Sequence, residues 1–428
     1  MTRSRVRVAL ATSIALLVAG CGGAGGSGSG RTGGGKSLEV FSWWTSGSES
    51  EALQVLQKAF TTADPGVTFK NAAVAGGGGS NARTVLATRL QGGNPPDSWQ
   101  LHPDQDLMSV VQDGNAADIT DLYKSQGWEK QLPASVKAML QKDGKYYAVP
   151  VNAHRANVLW TNPGVLKKAG VQITDSTTPA EFVADLPKLK AAGVAPVCLG
   201  AKDTFAPAQL LEVFILANLG PDGWKQLLTG ALSFNDAKVR TAVTQFATTL
   251  SNTNSDSAVL TWDQAALQTA EGKCATNLMG DWAFGELTGK GKKDGTDFGH
   301  VTFPGTSGVF DFVGDAFVIP AHNAPDPKAE KAWLEQLLKP EVQTQFNLKK
   351  GSAPVSSQAS LQGYPDYQKK AAKDFQTLPI VSSLAHAQGA PAEFANTYLD
   401  AVTSFLGSKN VDAFLKTMTS AQKTQLGD

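Results

Sequence analysis

The sequence predicts an α/β protein of two lobes joined by several chain crossings, and three observations carry that expectation. Short apolar runs and helix-periodic runs alternate through short links over residues 38–101, the pattern of a doubly wound sheet. Two extended apolar segments, 149–152 and 309–320, hold a proline or acidic residues where a central strand would hold neither, so they read as crossings between lobes. The length, 428 residues, suits two or three domain-sized units.

Taken in order, the chain opens with Arg3, Arg5 and Arg7 and an apolar run over residues 8–18. That run is too short for a permanent span and suits a secretory leader. Leu17-Val18-Ala19-Gly20-Cys21 follows, then Gly and Ser almost throughout residues 22–35, a flexible tether. Gly30-Arg31-Thr32-Gly33-Gly34-Gly35-Lys36-Ser37 matches the phosphate-loop pattern. A linker precedes it where a strand is needed and a strand follows where a helix is needed, so it reads as a chance match.

The run Val40-Phe41-Ser42-Trp43-Trp44 reads as a buried strand ending in two indoles. Successive strand residues face opposite ways, so at least one indole faces a cleft. Ser48 and Glu51 have the spacing of a capping box for a helix through residue 59. A strand at 67–69, a helix at 81–90 and a strand at 98–102 follow. Asp143-Gly144 marks a hairpin turn. Thr178-Pro179-Ala180-Glu181 is a second capping box with proline in the first turn. Helices are expected at 208–218, 237–250 and 263–271, a strand at 274–279, and helices at 327–338, 340–346, 391–406 and 411–426. Trp99, Trp128, Trp160, Trp224 and Trp333 are assigned to packing.

Charge and composition exclude several function classes. The chain has 38 basic and 38 acidic side chains, so no net field favours nucleic acid. Cysteine and histidine spacing offers no metal site, and no cofactor motif is present. Beyond Cys21, only Cys198 and Cys274 occur; outside the cytoplasm they form either a disulfide or two separate buried thiols.

The leader ending in Cys21 resembles the lipobox of bacterial lipoproteins, which implies cleavage before Cys21 and a diacylglycerol on its sulfur. The mature chain resembles the extracellular solute-binding proteins of carbohydrate ABC transporters, the maltose-binding-like cluster, and within it the bacterial glucose/galactose/mannose-binding group. Matching segments include Phe41-Ser42-Trp43-Trp44, Pro95-Pro96-Asp97, Gln100-Leu101-His102, Val149-Pro150-Val151-Asn152-Ala153-His154-Arg155, Met279-Gly280-Asp281-Trp282, Lys350-Gly351-Ser352 and Leu384-Ala385-His386. The resemblance implies the type II periplasmic-binding-protein fold with multiple hinge crossings. Its expected organisation is a leader at 1–20, a tether at 21–37, a first lobe of 38–151 plus 316–355, and a second of 152–315 plus 356–428.

It also implies a non-enzymatic, monomeric receptor. Lipid-anchored on the outer face of the cell membrane, it passes a hexose to permease subunits driven by a cytoplasmic ATPase. The implied binding set is Trp43, Trp44, Glu49, Gln100, His102, Trp262, Asp315, Lys350 and His386. A pyranose has an apolar face for aromatic stacking and a hydroxyl rim for charge-assisted bonds. Three points stay open: whether Trp43 is core with only Trp44 exposed, whether Glu49 or Glu51 reaches the ligand, and whether Asp281 and Trp282 stand behind the site. The competing readings are a receptor for a small disaccharide and a secreted glycoside-active enzyme using Glu49 and Asp315 as its carboxylate pair.

Overall fold

The computed structural model describes residues 36–76, 79–322, 324 and 326–426. The expected leader, Cys21 and the tether through residue 35 lie outside the described residues.

The first sheet has five strands in the order Thr68–Asn71, Ser37–Phe41, Ser98–Leu101, Ala316–Val318, Val149–Pro150. The first three run parallel, with Val40 opposite Ser98 and Phe41 opposite Trp99. Parallel neighbours need crossovers, and the helices Gly47–Ala63 and Ser80–Gln91 provide them. The second sheet has the order Gly299–Thr302, Val158–Thr161, Cys274–Leu278, Ala195–Val197. A third sheet has the order Ile380–Ser382, Phe310–Val313, His154–Arg155.

The chain passes between the first and third sheets by two short links, at 151–153 and 314–315, where the expected crossings fall, and returns to the third sheet through the long helical connection 319–379. Pro150 sits on an edge strand, where a missing N–H breaks no ladder. Val151 N donates to Asp315 O at 2.8 Å and ties the two crossings together. Two separate apolar cores flank them. One gathers Leu38, Val40, Trp44, Leu53, Trp99, Phe317 and Phe346; the other gathers Trp160, Phe214, Phe246, Ala283, Phe303 and Tyr398. The five tryptophans assigned to packing are all 2 % exposed or less.

Local signals were uneven. The Thr178 capping box forms both bonds, and the Ala237–Leu250 helix has its expected bounds. Asp143 and Gly144 both take positive φ in the hairpin Gln141–Lys142/Lys145–Tyr146, as a type I′ turn requires. The Ser48 box does not form. The helix starts at Gly47 with Ser46 as N-cap and no side-chain cap bond, because a carboxylate from the other lobe, Glu286, accepts from Ser48 N at 3.2 Å. Short or uncapped elements escaped periodicity, including the helices Asp366–Thr377 and Trp282–Gly289. Cys198 and Cys274 are joined in a disulfide, with their Cα atoms 5.5 Å apart. No helix among the described residues is long and apolar enough to cross a membrane.

Candidate functional site

A cavity of about 280 Å³ lies between the lobes, beside the crossings. That volume is near the lower end of small-ligand pockets, about 300 Å³.

The first lobe supplies one wall. Where the Ser37–Phe41 strand ends, the two indoles part. Trp43 lines the cavity, edge-on to His102 at 5.2 Å and with the Arg83 guanidinium 5.5 Å from its ring centroid. Trp44 turns into the first core against Phe317 and Phe346 and is fully buried. The expectation that Trp44 reaches the ligand is therefore corrected, and the open alternative resolves in the opposite sense: alternation separates the indoles, and the side facing the sheet's own helices is core. Gln100 is also off the wall. Its Nε2 donates to Asp315 Oδ1 at 2.7 Å and its Oε1 accepts from Trp43 N at 3.2 Å, so the amide is spent holding two wall residues. Asn152 Nδ2 donates to the other Asp315 oxygen at 2.6 Å.

Glu49, His102, Asp315 and Lys350 all line the cavity. Lys350 Nζ donates to Glu49 Oε1 at 2.8 Å. Burial raises the Glu49 carboxyl above its ordinary value, with Lys350 opposing. Glu51 points elsewhere, to Lys349 at 3.3 Å on the exposed side, so Glu49 is the acid on the wall.

The second lobe supplies the facing wall. Trp262 opens the Trp262–Ala270 helix, and its backbone N donates to Asp203 Oδ2 at 2.8 Å. Gly200 makes that approach feasible, since a Cβ there would meet Thr261 O at 2.3 Å. Trp262 stands perpendicular to Trp282, with ring centroids 6.5 Å apart. His386 sits beside Trp282 and Phe205 at 5.3 and 5.2 Å. Asp281 is fully buried behind the wall, with its carboxylate on His154 Nδ1, whereas Trp282 is on the wall itself.

The structure thus gathers Trp43, Glu49, His102, Trp262, Asp315, Lys350 and His386 on one cavity. Sequence reasoning missed Asp203, Phe205, Asp263 and Glu286, and placed His154 only beside a crossing; all five line the cavity. None lies in a spacing pattern that signals it; distant segments bring them together. Burial lowers His102, His154 and His386 below the ordinary imidazole value, so they are neutral at pH 7. The cavity therefore combines aromatic faces from both lobes, five carboxylates, one lysine and neutral imidazoles. That set accepts hydrogens from a polyhydroxylated ring and stacks on its apolar face.

Comparison with known proteins agrees with this architecture. Residues 45–344 match the model of the bacterial extracellular solute-binding protein family. The chain is 34 % identical over 393 residues to an uncharacterized ABC transporter extracellular-binding protein of Pyrococcus horikoshii, covering 91 % of this chain and 88 % of the relative. It is 30 % identical to a probable sugar-binding periplasmic protein of Brucella suis, covering 90 % and 92 %. Its fold matches that of a solved chitin oligosaccharide binding protein with a TM-score of 0.81 at 19 % identity, covering 92 % of this chain and 100 % of the other. On fold, length and sequence together, this two-lobe chain belongs to the bacterial extracellular solute-binding proteins.

Proposed function

We propose that the protein is the receptor of a sugar ABC importer and captures a monosaccharide, glucose or its epimers galactose and mannose, by closing its lobes. The observation that carries this reading is one cavity of about 280 Å³ lined by Trp43 from the first lobe and Trp262 from the second. A ring stacked between indoles on different lobes favours the closed state, because contacts to both lobes exist only there. Glu49, His102, Asp315, Lys350 and His386 take the hydroxyl rim. The lobes are 38–151 plus 316–355 and 152–315 plus 356–428; the two separate cores follow this division except near the crossings, where Ala153, Phe310, Phe312, Ala372 and Phe375 pack with the first core.

The bonding of the carboxylates favours binding over hydrolysis: Asp315 accepts amide donors at both oxygens, and Glu49 is paired with Lys350. A glycosidase needs one carboxyl held as an acid and a second free to attack or to activate water. In this reading the protein acts as a monomer tethered through a lipid on Cys21 and delivers the sugar to permease subunits powered by a cytoplasmic ATPase. The name of the Brucella relative supports a sugar as the ligand class.

A thermal-shift panel of mono- and disaccharides tests it. A ligand at a hundred times its Kd adds about 2.7 kcal/mol, so a neutral hexose should raise the melting temperature clearly. A panel in which no sugar moves it refutes the reading.

A further inference from the structure

Behind His386 lies a buried polar chain that the binding set does not use. Ser383 Oγ is 2.8 Å from His386 Nδ1 and 2.6 Å from Glu212 Oε1. The other Glu212 oxygen accepts from Leu384 N at 2.6 Å and Ala385 N at 2.7 Å. Glu212 is thus met by three donors from one loop. A serine hydroxyl has a single proton. With Glu212 as the acceptor, that proton goes to the carboxylate, and Ser383 Oγ must accept from His386 Nδ1–H. A neutral imidazole protonated on Nδ1 has a bare lone pair on Nε2.

The neighbouring strand supports the ionised state of Glu212. Asp311 is fully buried, and neither of its oxygens meets a donor in the protein. Burial raises both carboxyls, and the Glu212 charge raises Asp311 further. With three donors on Glu212 and none on Asp311, a proton held by this carboxyl pair resides on Asp311. His102, from the first lobe, is fixed in the same sense. Its Nδ1 donates to Gly314 O at 2.6 Å, and its Nε2 is buried without a partner. The two rings lie 6.0 Å apart, one from each lobe.

We propose that Glu212 is a positioning residue for the cavity: through Ser383 it fixes His386 as the Nδ1–H tautomer, so that His386, paired with His102 across the lobes, offers only an Nε2 acceptor. The ligand must then donate hydrogens at this end. Free hydroxyls satisfy that demand, while ether, fluoro and carboxylate substituents do not. The ligand requirement rests on the proposed sugar site; the tautomer assignment does not.

Ring-nitrogen NMR of the ligand-free protein at neutral pH tests the assignment directly. His102 and His386 should both appear as neutral Nδ1–H imidazoles. Glu212→Gln gives Ser383 an amide donor, frees the serine proton for His386 Nδ1 and should flip His386 alone to Nε2–H, with His102 as internal control. Ser383→Thr keeps the hydroxyl and should keep the wild-type tautomer, which a merely structural role of the loop would not require. Loss of one buried acceptor should weaken D-glucose binding by Glu212→Gln about tenfold. Wild-type His386 protonated on Nε2, or a Glu212→Gln protein with an unchanged His386, overturns the proposal; the wild-type spectrum alone decides if the variant does not fold. Correct tautomers with no sugar bound would instead sink the sugar reading and leave the assignment standing.

Discussion

Replacing each of the two adjacent tryptophans by alanine should give opposite phenotypes. Trp44 is fully buried, packs its ring against Phe317 and Phe346 at 5.8 and 5.4 Å, and has the Lys350 ammonium 5.4 Å from its ring centroid. Trp44→Ala leaves a large cavity in the first core, and such truncations cost about 3–5 kcal/mol. At about 2–4 °C per kcal/mol for a lobe-sized unit, the melting temperature should fall by roughly 6–20 °C. Trp43 is half-buried on the ligand wall. Trp43→Ala removes a stacking face but little core, so sugar affinity should fall by about 1–3 kcal/mol, roughly 5- to 150-fold, with a small change in melting temperature. Calorimetric titration and thermal denaturation of both variants separate the cases. A Trp44→Ala protein with wild-type melting temperature, or a Trp43→Ala protein with wild-type affinity, would refute the assignment of the two indoles.

Three further outcomes are expected. Glu286, from the second lobe, accepts from Ser48 N in the first turn of a first-lobe helix, and a Cβ on Gly47 would lie 2.2 Å from its Oε2. Glu286→Ala and Gly47→Ala should each weaken sugar capture about fivefold, for about 1 kcal/mol of helix-terminal bonding. Their effects should not add; additive losses in titration would show that they act separately. Glu330 is 1 % exposed, and burial, then Asp97 and Asp326, push its carboxyl up to about 8. Its folded value exceeds the unfolded one, so its penalty is absent below 4.5 and complete above 8. Glu330→Gln should therefore raise stability by on the order of 1–2 kcal/mol above pH 8, less than the full shift implies because a buried carboxylate is relieved by relaxation and water penetration, with no gain near pH 4.5; denaturant titrations with a pH-independent difference would contradict this. The bonds from Ser48 N to Glu286 and from Arg83 Nη2 to His386 O cross between lobes. Small-angle scattering should accordingly show a smaller radius of gyration with sugar than without, and an unchanged profile counts against hinge closure.

The alternation of strands and helices was legible because each amphipathic element must bury one face, and that demand writes a period into the sequence. The crossings were legible because Pro150 and Asp315 sit badly in central strands. The wall was legible only in part. Period two says that Trp43 and Trp44 part, but not which side is cleft; that depends on where the Gly47–Ala63 and Pro340–Lys350 helices pack. Gln100 has a binder's chemistry, yet Asp315 and Trp43 N consume it. Asp203, Glu286 and His154 reach the cavity through contacts between residues far apart in sequence, and no local pattern records such convergence.

In the proposed closed state a single sugar ring sits between the lobes. A crystal structure of the protein grown with the sugar that most raises its melting temperature measures this most directly. One pyranose should lie between Trp43 and Trp262, with hydroxyls on Glu49, Asp315 and the Nε2 atoms of His102 and His386. A sugar bound elsewhere, or a ring that touches only one lobe, would contradict it.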